Sequence, residues 1–290
     1  MKYRLVKQIR DNPTLRQSFM DLAVKVFDLS FENWYRQGSW MENYIPYAIV
    51  DGSRVVANAS VNIIDLLWKG APKRYIQIGT VMTDPAYRNQ GLSRKLLEEI
   101  LRDWSNHCDC IYLFANSTVL DFYPKFGFQQ AKEYKYTLPI VSKKGDFVKL
   151  DMGSVNGRKT LLHYFSQSNP YSLFSMVRNE GLLLFYCGNF MKDSVFYSSK
   201  MDVVCIAEQK QNGTLVCHDI FGPSQFPLEE ILSALAAPQT MQAVLGFTPL
   251  QANSAYFSLI DDKDDTLFLL SGKENIFDGQ KIMFPTLSHA

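Results

Sequence analysis

The order of elements predicts an α/β fold: a mixed sheet flanked by helices in the first half of the chain, followed by a second α/β unit. Three observations carry this expectation. Residues 75–97 run from a β-rich segment, stopped by Pro85, through a short polar turn into an amphipathic helix. In that helix Leu92, Leu96, Leu97, Ile100, Leu101 and Trp104 recur at three- and four-residue spacings and so share one face. Residues 110–115 form a continuous apolar run, the pattern of a strand buried on both sides.

The other elements follow in order. Residues 2–7 alternate as a short strand. Asn12-Pro13 opens a helix with Leu15, Phe19, Leu22, Val26 and Leu29 on one face, and a second short helix spans 31–37. Asp51-Gly52-Ser53 joins the β-branched runs 47–50 and 55–67 as a hairpin, and Gly70-Ala71-Pro72 breaks the second arm before the central strand begins near Lys73. Beyond 115, a short helix capped by Asn116 or Ser117 should stop near Gly127, and a strand at 133–138 should close the first unit. The polar stretch 141–150 reads as a linker, which divides the chain into domains at 1–140 and 150–290. In the second, helices are expected at 154–165, 171–190 and 227–236, with strands near 203–208, 215–221, 242–246 and 266–270.

Composition narrows the function. The chain has 290 residues, 47% hydrophobic, enough for a sizeable core. Its 30 basic and 29 acidic residues leave a net charge of +1, which argues against nucleic acid or a membrane surface as a partner recruited by bulk charge. Cys108, Cys110, Cys187, Cys205 and Cys217 lack disulfide-framework or zinc spacing, and His107 beside the first two reads as packing. No secretory leader is expected, and apolar runs such as 181–187 are too short to span a bilayer, so the expected location is cytoplasmic.

The chemistry concentrates after the central strand. A turn containing Asn89 and Gly91 ahead of a helix start makes an anion site, because first-turn N–H groups and the positive end of the helix dipole converge there. Gly91 permits close approach of a ligand and Arg88 adds a fixed charge. The spacing Arg88-x-x-Gly91-x-Ser93 resembles the Gln/Arg-x-x-Gly-x-Gly/Ala signature of the GNAT superfamily of acyl-CoA N-acyltransferases. Ser93 stands where that family has Gly or Ala, and Asn89 where many members have Gly. Asn116, six residues and then Tyr123, followed by Lys125-Phe126-Gly127-Phe128, resembles the family's other signature at the family's distance from the first.

The resemblance covers the N-terminal 140 residues and implies a GNAT-type sheet that binds acetyl-CoA without a metal. By that likeness Arg88, Asn89, Gln90, Gly91, Leu92, Ser93 and Arg94 would hold the pyrophosphate and Asn116 the pantetheine arm. A main-chain N–H near Val81 or Met82 would hold the acyl oxygen, and Tyr123 would protonate the departing sulfur. Residues 241–247 echo the end of the first unit, so the second unit reads as a degenerate GNAT-like copy. It has no basic turn before Pro227, so no second coenzyme is expected there. Tandem units of this kind resemble the enhanced-intracellular-survival family of acetyltransferases.

Tyr75, Gln77 and Gly79 alternate on one face of the central strand with no carboxylate, leaving the general base open among Asp65, Glu42, a water relay and the chain's last residues. In the two-domain family a terminal carboxylate reaches the active site, which by likeness would be His289 or Ala290. His218-Asp219 lacks a nucleophile elbow, and 261–265 reads as a solvated acidic loop or an attractor of a cationic acceptor. Trp34, Tyr35, Trp40 and Tyr44 should border the acceptor, a small-molecule or peptide amine. A rival reading is a catalytically silent protein that binds acyl-CoA as a regulator, and homodimerisation through the second unit stands as a third option.

Overall fold

The computed structural model describes residues 3–251 and 255–290. The first stretch of chain gives strand β1 (Arg4–Lys7), helices α1 (Pro13–Phe27) and α2 (Glu32–Arg36), then β2 (Tyr44–Asp51), β3 (Arg54–Trp68) and β4 (Ala71–Thr83). Helix α3 (Leu92–Trp104) crosses over to β5 (Cys110–Ala115), and β6 (Phe128–Gln130), β7 (Tyr134–Pro139) and β8 (Val148–Lys149) follow. The remainder holds α4 (Val155–Phe165), β9 (Phe174–Val177), α5 (Glu180–Phe185), β10 (Val195–Ser198), β11 (Val203–Gln209) and β12 (Thr214–Phe221). It ends with α6 (Leu228–Leu235), β13 (Gln242–Leu245), β14 (Tyr256–Leu259) and β15 (Thr266–Leu270). Among the described residues no helix is long and apolar enough to cross a membrane.

Two mixed sheets result. The first has the order β1-β2-β3-β4-β5-β15-β6, with β9 pairing the far end of β3, and the second runs β14-β7-β13-β12-β11-β10-β8. Among the described residues, the only parallel step in the first is β4 to β5, joined by α3; in the second it is β12 to β13, joined by α6. The second sheet therefore repeats the crossover at the heart of the first, since parallel neighbours cannot be joined by a tight hairpin and need a crossover.

The helices form where the apolar spacing says they should. Asn12 accepts from Leu15 N at 3.1 Å and Pro13 fills the first helical position, so α1 starts there. Its Leu15, Phe19 and Leu22 bury against Ala48, Val50 and Val55. On the other face of the sheet Leu96, Leu97 and Ile100 of α3 pack on Ile76, Ile78, Ile111 and Leu113. Between the sheets lies a third core, where Phe284 stacks on Tyr112 at 4.0 Å and touches Phe174 and Tyr75.

Several local expectations give way to tertiary pairing. The strand at 134–139 lies in the second sheet, because β15, from late in the chain, occupies the place beside β5. Residues 171–190 are not one helix: 174–177 pair with Trp68–Asp65 of β3, and Asn179 then caps α5 through Leu182 N. Residues 116–127 make turns and a single 3-10 turn at Tyr123–Phe126, since Asn116 spends its side-chain oxygen on Thr118 and Pro124 has no N–H to give. The polar stretch at 141–150 is pinned at Val148–Lys149 by pairing with Phe196 and Tyr197.

Glu133, between β6 and β7, is buried and accepts from Phe284 N at 2.7 Å. Burial pushes its carboxyl from 4.5 up to about 7, partly opposed by His289 and the Phe284 N–H and aided by Asp265. A raised carboxyl favours the folded state while protonated, so its contribution is complete below about 4.5 and is lost as pH rises through about 7. The effect is on the order of 3 kcal/mol. Glu133→Gln keeps the acceptor and removes the titration; denaturant unfolding at pH 5 and at pH 8 should give more nearly equal stabilities for the variant than for the wild type.

Candidate active site

The site begins where two parallel strands part. β4 and β5 pair only at Tyr75↔Cys110, Ile76↔Ile111 and Gln77↔Tyr112, although both strands continue. Across β4, two residues, Thr80 and Val81, stand opposite the single Ala59 of β3, between the pairs Asn58↔Met82 and Ser60↔Gly79. This is a β-bulge, which withdraws main-chain groups from the ladder and bends the strand. Thr80 takes φ 49°, costly for a β-branched residue by roughly 1–3 kcal/mol. Asn58 Nδ2 holds its carbonyl at 3.0 Å, and the Tyr44 hydroxyl, which accepts from Ser60, shares a hydrogen bond with its Oγ1 at 3.0 Å.

Past the bulge, Asp84 ends the strand. It is 1% exposed, accepts from Ala86 N and Lys25 Nζ, and is gripped by Arg54. Burial by itself would raise its carboxyl, but these donors hold it below the usual value. The turn that follows places Asn89 at φ 60° and Gly91 at φ 73°. Gly91 starts α3 without any side-chain cap, so the helix's first N–H groups are left for a ligand. Ser93 Oγ lies 3.0 Å from Thr83 Oγ1 and ties the helix start to the strand end.

A cavity of about 1160 Å³ follows this gap. It is lined by Val81, Met82, Arg88, Asn89, Gly91, Leu92, Ser93, Arg94, Asn116 and Tyr123, so the structure brings ten of the eleven predicted site residues to one wall system. Gln90 lies elsewhere and accepts from the Tyr3 hydroxyl. Tyr123 is 5% exposed, and burial pushes its hydroxyl up to about 12. Neither Asp65 nor Glu42 reaches the cavity: Asp65 binds Arg74 through both oxygens, and Glu42 points to Arg10.

The segment 286–290 closes the floor. Gln77 Nε2 donates to the main-chain oxygen of Ala290 at 3.0 Å, Tyr112 to that of Ser288, and Tyr186 to that of His289. The His289 ring stacks on Phe114 at 4.0 Å, its Nδ1 is 3.3 Å from Asp265, and its Nε2 is buried with no hydrogen-bond partner. Sequence reasoning read the acidic run 261–265 as a solvated loop or an attractor of a cationic acceptor and did not foresee Asp265 as a partner of His289; only the antiparallel placement of β15 beside β5 brings it here.

A family model described as an acetyltransferase (GNAT) domain matches residues 13–131. Solved structures similar to nearly the whole chain include a probable N-acyltransferase from Enterococcus faecalis, 13% identical with a TM-score of 0.62, over 93% of this chain and 72% of that one. Eis1 from Mycobacterium abscessus is 14% identical with a TM-score of 0.59, over 92% of this chain and 73% of its own. A GCN5-related N-acetyltransferase from Kribbella flavida is 16% identical with a TM-score of 0.56, over 92% and 70%. At such identities the likeness to these structures is one of fold.

Gly79 faces the closing segment so tightly that a Cβ there would sit 2.3 Å from the Ala290 oxygen. Gly79→Ala should therefore cost about 1–3 kcal/mol and loosen the last residues. Thermal unfolding and limited proteolysis at 286–290 check this, and an unchanged melting temperature with unchanged cleavage would refute it.

Proposed function

With residues 13–131 forming a GNAT acetyltransferase domain, a domain of acyl-transfer enzymes, we propose that this protein moves an acetyl group from acetyl-CoA directly to a primary amine of a small molecule or peptide. The observation that carries the reading is a single cavity that holds both an uncapped helix start in a left-handed turn and the buried Tyr123 hydroxyl.

The residues present fit such a co-substrate. The N–H groups of Leu92, Ser93 and Arg94, with the Arg88 guanidinium, offer the charge and donors a pyrophosphate needs. Asn116 has its oxygen held by Thr118, which leaves its amide nitrogen to donate to a pantetheine carbonyl. When bound, acetyl-CoA supplies an activated acyl carbon on a thiol leaving group. The bulge frees main chain at Thr80–Val81 to donate to the acyl oxygen. Tyr123 stays protonated through the neutral range and delivers its proton to the departing sulfur. His289, oriented through Nδ1 by Asp265, offers Nε2 to the proton leaving the amine, directly or through one water.

Calorimetric titration with acetyl-CoA should show binding to the wild type and its loss in folded Gly91→Glu, whose carboxylate would occupy and repel the anion site. Absence of binding to the wild type would refute the reading. Tyr123→Phe and His289→Gln should each lower turnover by about 10²-fold or more while leaving acetyl-CoA affinity near the wild-type value, read as thiol release with an amine panel. Intact acetyl-CoA binding with no thiol release from any amine would instead identify a binding protein.

A further inference from the structure

A second, smaller cavity of about 50 Å³ adjoins the first at the bulge: Leu29, Thr80 and Ala290 line both. Its walls are aromatic. Phe31 stacks on Phe185 at 5.6 Å, Trp34 meets Tyr44 edge to face at 5.4 Å, and Trp34 Nε1 is locked onto the Gly181 carbonyl at 2.7 Å. Phe31 and Trp34 come from the first half of the chain, and Phe185, with Asn179, Gly181 and Leu182, from the second.

Of the described residues that line this cavity, none has a charged side chain. Most of its polar groups are already satisfied: Asn43 and Asn179 both donate to the Ile63 carbonyl, and Tyr44 and Thr80 bind each other. One is not. Asn62 is 4% exposed, and its amide nitrogen is buried with no hydrogen-bond partner. A buried donor left unpaired is costly, so a ligand atom that accepts from it is the simplest account of its place.

These features select an acceptor chemistry. At roughly 10–15 Å³ for each water, the space suits a branched group of about four carbons and one further polar atom. No side chain on this cavity offers a second ammonium a counter-charge, since Asp264 and Asp265 line only the larger cavity, Glu42 turns to Arg10, and the Ala290 main-chain oxygen beside it already accepts from Gln77. We propose that the acceptor is a primary monoamine with a compact apolar branch seated among Phe31, Trp34 and Phe185 and one uncharged oxygen that accepts from Asn62. Polyamines and aminoglycosides, which carry further ammonium groups, should therefore be poor acceptors. The proposal rests on the acetyltransferase reading for the reaction, but the cavity's preference for such a ligand does not.

The test uses the full chain and five probes: leucinamide, isoamylamine, 2-phenylethylamine, spermidine and kanamycin. Calorimetry without acetyl-CoA should detect leucinamide, with isoamylamine about tenfold weaker for want of the oxygen. Asn62→Leu should abolish that difference. Phe185→Ala, which enlarges the cavity without touching the donor, should preserve the difference and add binding of 2-phenylethylamine. With acetyl-CoA present, thiol release should rank the amines in the same order, spermidine and kanamycin falling at least a hundredfold below leucinamide. Tighter binding or faster turnover of spermidine or kanamycin would overturn the proposal, as would no binding of either monoamine or an unaltered preference in folded Asn62→Leu. Monoamine binding as expected, without thiol release, would support the cavity assignment and count against the acyl-transfer reading alone.

Discussion

The parting of β4 from β5 beyond Gln77↔Tyr112 is the constraint on which the rest of the site depends. Two strands that stopped pairing in the middle of a sheet would leave main-chain groups exposed to a dry interior, an arrangement that each side must compensate. On one side β4 keeps its ladder to β3 through a bulge that Asn58 and Tyr44 hold in place. On the other side β5 turns to β15 as its partner. Each of those ladders pairs only the outer edge of its strand, so the main-chain groups of β4 and β5 that face each other beyond Gln77↔Tyr112 stay outside both ladders and border the cavity.

That solution makes the two halves of the chain interdependent. β15 and β9 join the first sheet, and β7 joins the second, so neither sheet is built from one half of the sequence. Phe284, stacked on Tyr112 and packed against Phe174, then anchors the closing segment that carries His289 and Ala290 to the cavity floor. Glu133 fixes the same segment through Phe284 N, which places a buried, pH-sensitive carboxyl close to the proposed chemistry.

Charge is distributed by the same logic. Asp84, almost fully buried, is acceptable because Lys25, Arg54 and the Ala86 N–H meet it. The large cavity mixes cationic, acidic and polar walls, while the small one is mostly apolar with a single unmet donor. A coenzyme of high charge and an acceptor of low charge would thus be sorted to different sides of the β4 bulge.

What the sequence by itself determined is local. The periodicity of α1 and α3, the hairpin at Gly52, and the left-handed turn at Asn89 and Gly91 all follow from residues within a few positions of one another, and the structure has each of them. The resemblance carried by Arg88, Gly91, Asn116 and Tyr123 likewise lies in short contiguous motifs, and all four residues meet at one cavity. Tertiary structure alone decided the rest: that 134–139 pairs in the second sheet, that 174–177 is strand and not helix, and that Asp265 and His289 come within 3.3 Å of each other. Strand partners and the company of a buried side chain are set by which distant segment covers an open edge, and no local pattern of spacing encodes that choice.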